Sequence, residues 1–294
     1  MKILSFDIEE WYIEKKFRGD RKEQYQKLDY YLKEILDLLD EQQIKATFMC
    51  VGELAHSFPY VIKNIIAHGH EIGCHSNTHD WLTKLTPKQL QRDTYDAISA
   101  LEDVTGKKIR SYRAPAFSIG EENKYALEIL AEYGIEIDSS IFPAVRDFGG
   151  FPSFSFEEPI VIKINGYELK EFPMCTTNIL GKRVAYSGGG YFRFFPLQFI
   201  KSQMNKSDYT ISYFHIGDLV RLSDTFLISK EMYETYFRES GTLINRLKRS
   251  IKSNLGIRGA FDKMSKLICN TDYISLEMAE KIVDWSKVKV VELQ

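Results

Sequence analysis

The sequence predicts an α/β fold of parallel strands covered by helices, and three features of it point that way. Short apolar runs alternate with amphipathic segments through the first half of the chain. Glycine and proline punctuate the alternation, and polar or charged residues recur just where each apolar run ends: Asp7 and Glu9, His75, Arg113, Asp138. Parallel neighbours need a crossover connection, which the amphipathic segments supply.

Residues 2–8 read as a short buried strand, and Leu28, Tyr31, Leu32, Ile35, Leu38 and Leu39 repeat at helical spacing. A strand is expected over 45–51, a helix over 59–68 stopped by Gly69, and a strand over 71–75. Thr86 and Pro87 start a helix carrying Leu90, Ala97, Ile98, Leu101 and Val104, which Gly106 ends. A strand over 111–117, a helix over 122–133 stopped by Gly134, and a strand over 135–141 continue the pattern. Beyond Phe142 the rhythm changes. Runs at 160–164 and 167–172 flank Asn165-Gly166, the strongest short hairpin signal, so residues 143–185 read as a hairpin insertion beside the parallel unit. A helix over 197–204 and a strand over 209–214 resume the alternation; residues 243–267 read as one basic helix and 288–293 as a closing strand. The expected organisation is a single domain, 1–294, with a core over about 1–220 and a helical extension from about 225 to 294.

At 294 residues, with 44% hydrophobic and 27% charged residues, the chain has the balance of an ordinary globular protein. Its 39 basic and 41 acidic residues leave no global field to attract nucleic acid or anionic lipid, so no nucleic-acid partner is expected and any such contact needs a local patch. Cys50, Cys74, Cys175 and Cys269 lie far apart and read as buried thiols in a reducing compartment. No apolar run approaches a membrane span, and the start of the chain turns acidic too soon for a signal peptide; the expected location is the cytoplasm.

Two histidines four apart, His75 and His79, with a carboxylate from elsewhere, can supply the three protein ligands of an open catalytic metal site. His75 ends an apolar strand and Ser76-Asn77-Thr78 is a polar turn, unlike the helical H-E-x-x-H of zinc proteases. Asp7 and Glu9, two apart on a strand, project from one face, so one can ligate while the other takes a proton from water. The plainer alternative is a pair of unrelated turn histidines and a solvated acidic strand end.

Taken together, the order of motifs resembles the polysaccharide deacetylase family, carbohydrate esterase family four, whose shared unit is the NodB homology domain. Ser5-Phe6-Asp7, His75-Ser76-Asn77-Thr78-His79, Arg113-Ala114-Pro115, Asp138-Ser139-Ser140 and Phe214-His215 match its five motifs in order. Asp138-Ser139-Ser140-Ile141-Phe142-Pro143 and Ser187-Gly188-Gly189-Gly190-Tyr191-Phe192-Arg193 are similar to signatures of the exopolysaccharide-associated branch. The resemblance covers about residues 1–220 and implies a distorted (β/α) barrel of seven strands.

It also implies Asp7 as general base, His75 and His79 as metal ligands and His215 as general acid, with Arg113 paired to Asp7 and Asp138 supporting His215. Many members carry a second, ligating aspartate where this chain has Ile8; Glu9 is the natural substitute and Glu10 the weaker one. Ile216-Gly217-Asp218 stands where the related branch commonly has proline, tryptophan and glutamate. The implied activity is metal-dependent N-deacetylation of an N-acetylated polysaccharide or its sugar precursor, with zinc, or else cobalt or nickel, as the cation and an acetylated glycan as partner. Hydrolysis of a small non-peptide amide, or metal-free carbohydrate binding, are the alternatives. Trp11, Pro115 and Tyr191 are candidate sugar contacts, and the basic run from Arg246 to Lys266 is a candidate for weak contact with a membrane surface.

Overall fold

The computed structural model describes residues 1–146, 148–222 and 226–293. Twelve strands are found among them: β1 (Lys2–Ile8), β2 (Thr47–Cys50), β3 (Glu71–Cys74), β4 (Ser111–Tyr112), β5 (Ile137–Asp138), β6 (Ile160–Ile164), β7 (Tyr167–Glu171), β8 (Thr176–Ile179), β9 (Lys182–Ala185), β10 (Thr210–Phe214), β11 (Tyr273–Ile274) and β12 (Val290–Leu293). The main sheet runs β10-β1-β2-β3-β4-β5-β7-β6-β12, and its seven strands from β10 to β7 are mutually parallel. β11 lies beside β1 at Lys2 and Ile3, the stretch of β1 that β2 does not reach. Among the described residues no ladder closes β7 onto β10. Tyr209, just before β10, donates from Oη to the carbonyl of Pro173, just after β7, at 2.7 Å, so the two ends of the parallel path approach each other.

β1 is buried from Ile3 onward because the sheet takes up its backbone on both edges while helices cover its faces. Helix Lys22–Glu41 buries Leu28, Leu32, Ile35, Leu36 and Leu39, a stripe at spacings of three and four. Each such side chain contributes about 1.5–3 kcal/mol when withdrawn from water. Helix Pro87–Thr105 has the expected cap: Thr86 Oγ1 accepts from Gln89 N, while Gln89 Oε1 accepts from Thr86 N at 2.9 Å. Helix Tyr125–Glu132 covers the next crossover. No helix among the described residues is long and apolar enough to cross a membrane.

Several elements differ from the sequence expectations. The strand expected over 111–117 stops at Tyr112; Pro115, which has no N–H to donate, opens a 3-10 turn over Pro115–Phe117 in which Ala116 and Phe117 both have φ of 54°. The Asn165-Gly166 hairpin forms with left-handed backbone at both positions, and β7 joins the main sheet parallel to β5. A second hairpin, β8 with β9, stands apart as its own two-stranded sheet. The basic helix of 243–267 is two helices, Leu243–Asn254 and Ala260–Ile268, because Gly256 and Gly259 take left-handed backbone between them. The start of the helical extension near residue 225 lies outside the described residues. Cys50, Cys74 and Cys175 are buried, whereas Cys269 is exposed at the end of helix Ala260–Ile268.

Candidate active site

Parallel strands present their C-terminal ends to one rim, and the chemistry-bearing side chains meet there. β1 delivers Asp7 near its end. The chain then turns directly into helix Glu10–Arg18, and Glu9, the residue before that helix, does not use its side chain to cap it. Glu9 Oε2 instead lies 2.5 Å from His79 Nε2 and 3.3 Å from His75 Nε2.

The turn carrying the two histidines follows β3 and is held from several sides. His75 N donates to Cys50 O at 2.8 Å, Gly52 N to Ser76 O at 2.9 Å, and Asn77 N to Asp93 Oδ2 at 2.9 Å. Ser76 and His79 sit at φ of 62° and 58°, a conformation costly for residues with a side chain, and Ser76 Oγ accepts from His79 N at 3.0 Å to hold it. A side chain at Gly52 would collide with Asn77 and with the backbone of Ala97, so only glycine lets the turn pack this closely.

Glu9, His75 and His79 each offer one ligand atom, all within 4.8 Å of one another, the one such cluster among the described residues. His75 Nδ1 donates to the carbonyl of Arg113 at 2.7 Å, which leaves the Nε2 lone pair turned toward the cluster. His75 Nε2 and Glu9 Oε2 are buried without a hydrogen-bond partner. Three potential donor atoms converging in a buried place fit a divalent cation in an open three-ligand site. Burial alone would raise the Glu9 carboxyl, but the nearby imidazoles of His79, His215 and His75 hold it well below the usual carboxylate range.

Beside this cluster, Asp7 Oδ1 accepts from Arg113 Nη1 at 2.7 Å. Arg113 is fully buried and also donates to Ser5 Oγ at 2.8 Å, Ser139 O at 3.2 Å and Ser139 Oγ at 3.1 Å. Burial raises the Asp7 carboxyl, yet Arg113, His75 and His215 more than offset it and keep it below its ordinary value. His215 follows β10, with Nε2 3.6 Å from Asp7 Oδ2 and 3.8 Å from Glu9 Oε2, and its Nδ1 is 2.8 Å from Asp218 Oδ2. Burial lowers the imidazole; Glu9, Asp218 and Asp7 together hold it well above its usual range. A cavity of about 400 Å³ opens onto this group, lined by Asp7, Glu9, Glu10, His215 and Asp218 together with Tyr191, Tyr213, Tyr236, Phe237 and Arg249.

The structure brings Asp7, Glu9, His75, His79, Arg113 and His215 together and parts them from other candidates. Asp138 is not the partner of His215: its Oδ1 accepts from Ser140 Oγ at 2.6 Å, and it is fully buried beside Glu171. Asp218, three residues after His215, takes that place. Trp11 is unavailable to a sugar, since it is fully buried with its indole N–H on Asp29 Oδ1 at 3.0 Å; helix Glu10–Arg18 starts one residue earlier and rotates it inward. Pro115 is buried with its carbonyl accepting from Ser118 Oγ, while its neighbours Ala114, Ala116 and Phe117 line the cavity. Tyr191 does line the cavity. Glu10 stays outside the ligand cluster: its Oε1 accepts from Gly217 N at 2.8 Å, and burial, with the charge of Glu9, pushes it up to about 7.

Residues 25–137 match the family model for polysaccharide deacetylases, and residues 139–280 match a domain of unknown function, DUF3473. The chain is 34% identical over 95 residues to a peptidoglycan-N-acetylglucosamine deacetylase of Bacillus cereus, covering 32% of this chain and 34% of that protein. It is 32% identical over 83 residues to a chitooligosaccharide deacetylase of Sinorhizobium fredii, covering 28% of this chain and 39% of the relative. Matched segments span between 14% and 39% of such relatives' own length. A crystal structure from Mycobacterium smegmatis, provisionally described as a polysaccharide deacetylase, superposes on 100% of this chain and 93% of its own with a TM-score of 0.63 at 16% identity, which shows a shared fold.

Proposed function

Because this chain belongs to the polysaccharide deacetylase family, we propose that it hydrolyses the amide carbon–nitrogen bond of an N-acetylated glycan or its sugar precursor, releasing acetate and leaving a free amine. The observation that carries the reading is the placement of a held carboxylate, Asp7, and a held imidazole, His215, 3.6 Å apart beside the Glu9, His75 and His79 cluster. Glu9, His75 and His79 would hold a divalent cation, zinc by its preference for this donor set and cobalt or nickel as substitutes, which when bound polarises the acetyl carbonyl and lowers the pKa of water.

The chain's own groups then divide the proton work. Asp7, kept ionised by Arg113, uses Oδ2 to take a proton as water oxygen bonds to the carbonyl carbon, because Oδ1 is occupied by the guanidinium. Protonated His215, oriented through Nδ1 by Asp218, gives its Nε2 proton to the departing nitrogen as the carbon–nitrogen bond breaks. Tyr191, Tyr236 and Phe237 offer aromatic faces for the sugar ring. The likeness of residues 138–143 and 187–193 to the exopolysaccharide-associated branch supports an exopolysaccharide as the polymer.

Acetate release from N-acetylglucosamine oligomers, with and without a chelator, tests the reading. Wild type turns over and the chelator stops it; Asp7→Asn and His75→Ala both lose turnover. Metal-loaded wild type that releases no acetate from any N-acetylated oligomer or monosaccharide would defeat the proposal.

A further inference from the structure

Helix Leu243–Asn254 carries its apolar residues on the wrong side for a helix that merely packs on a core. Leu243, Leu247, Ile251 and, just past its end, Leu255 recur every four residues, and Ile244 lies on the same flank. All five are exposed, Ile244 to 64% and Ile251 to 52%. A stripe at this spacing ordinarily faces the interior, yet here the buried residue is Ser250, and Arg246 turns toward the body to donate to Ile228 O at 3.1 Å. The helix holds four basic residues, Arg246, Lys248, Arg249 and Lys252, and no acidic one. Lys248 and Lys252 are exposed and follow the apolar stripe around the helix.

The helix is also fastened to the cavity. Arg193, which lines the cavity, donates from its two terminal nitrogens to the carbonyls of Lys252 and Ser253 at 2.9 and 3.0 Å. Val145 and Phe194, both cavity-lining, are 80% and 42% exposed, so two apolar side chains stand at the mouth. Helix Ala260–Ile268 continues the basic run differently: Lys263 Nζ is turned inward onto the carbonyls of Phe192, Arg193 and Phe195. Its large apolar residues Met264, Leu267 and Ile268 are buried, so of the two helices only the first exposes an apolar stripe.

We propose that helix Leu243–Asn254 seats the protein on an anionic lipid surface with the cavity mouth beside it. Its leucines and isoleucines enter the boundary between headgroups and acyl chains, and Lys248 keeps its ammonium group at phosphate level. A second copy is the poorer occupant, because pairing this stripe with itself gathers lysines of both helices at one rim with no carboxylate in either helix to meet them. The docking does not depend on the deacetylation reading; if both hold, the glycan is met at the membrane.

The test is co-sedimentation of the full chain with phosphatidylcholine vesicles, with or without phosphatidylglycerol. Wild type binds the anionic vesicles, less so as salt rises, and scarcely binds the neutral ones. The double substitution Leu247→Asp with Ile251→Asp removes binding, and Lys248→Glu weakens it on the order of tenfold, while acetate release from a soluble oligomer stays as in wild type for all of them. Failure of wild type to bind anionic vesicles, or equal binding by the folded variants, overturns the proposal. So does a wild-type dimer in light scattering that the double substitution converts to monomer, which assigns the stripe to a second copy.

Discussion

Replacing Asp218 by Asn keeps the side chain's shape and removes the charge that faces His215 Nδ1 through Oδ2 and Arg193 through Oδ1 at 3.5 Å. Asp218 Oδ2 lies 2.8 Å from His215 Nδ1, and both side chains are mostly shielded from solvent. A hydrogen bond to a charged group contributes about 1.5–3 kcal/mol, a factor of about ten or more in an equilibrium. Loss of the charge therefore lowers the imidazole pKa. His215 is needed in its protonated form, so activity is present below its pKa and lost as pH rises through it. The alkaline limb of kcat/KM against pH thus moves to lower pH in Asp218→Asn, and the rate at a pH on that limb falls about tenfold or more, with the acid limb and bound metal unchanged. Asp138→Asn, whose carboxylate is committed to Ser140, leaves that limb in place. The assay is acetate release across the pH range with saturating cation. An alkaline limb unmoved in Asp218→Asn, or moved equally by Asp138→Asn, refutes the reasoning.

Three further outcomes are expected. Arg113→Met strands Asp7 as a buried carboxylate without its partner, so the unfolding free energy in denaturant falls by about 3–5 kcal/mol and the acid limb of the rate profile rises as the carboxyl goes up; unchanged stability would show the pair to be dispensable. Burial, reinforced by Asp138, pushes Glu171 well above the carboxylate range. The folded state then keeps a proton that the unfolded chain releases, so stability falls as pH rises from the ordinary carboxylate pKa toward the folded one. Glu171→Gln removes that loss, and its melting temperature declines less than that of wild type between mildly acidic and mildly basic pH. Trp11→Ala destabilises by about 3–5 kcal/mol without raising KM in the folded fraction, whereas Tyr191→Ala raises KM and leaves the melting temperature nearly unchanged.

The placement of polar residues at the ends of apolar runs is readable in one dimension because a parallel sheet presents all those ends to one rim. Asp7, His75 and Arg113 reach the same site by that rule, and Glu9 follows from its distance along the chain from Asp7. The same rule misplaces Asp138, since the end of β5 is short and Ser140 and Glu171 draw its carboxylate into the interior. Asp218 is set by a local turn after His215, which periodicity does not see; its only signal is an acid three residues beyond the histidine. Trp11 is decided by where β1 gives way to helix, one residue after Glu9, and a change of period at that point sends an aromatic side chain inward instead of toward the cavity. The basic run is legible as helical, but its break at Gly256 and Gly259, and therefore which lysines face outward, depends on backbone conformation that composition alone leaves open.

The ligand set is tested most directly by the metal content of purified, zinc-loaded and dialysed protein, measured by inductively coupled plasma mass spectrometry. Wild type and Asp7→Asn retain one cation per chain, while Glu9→Gln, His75→Ala and His79→Ala each lose it. Retention of a full equivalent by Glu9→Gln, or loss of it by Asp7→Asn alone, would contradict the assignment of Glu9 as ligand and Asp7 as base.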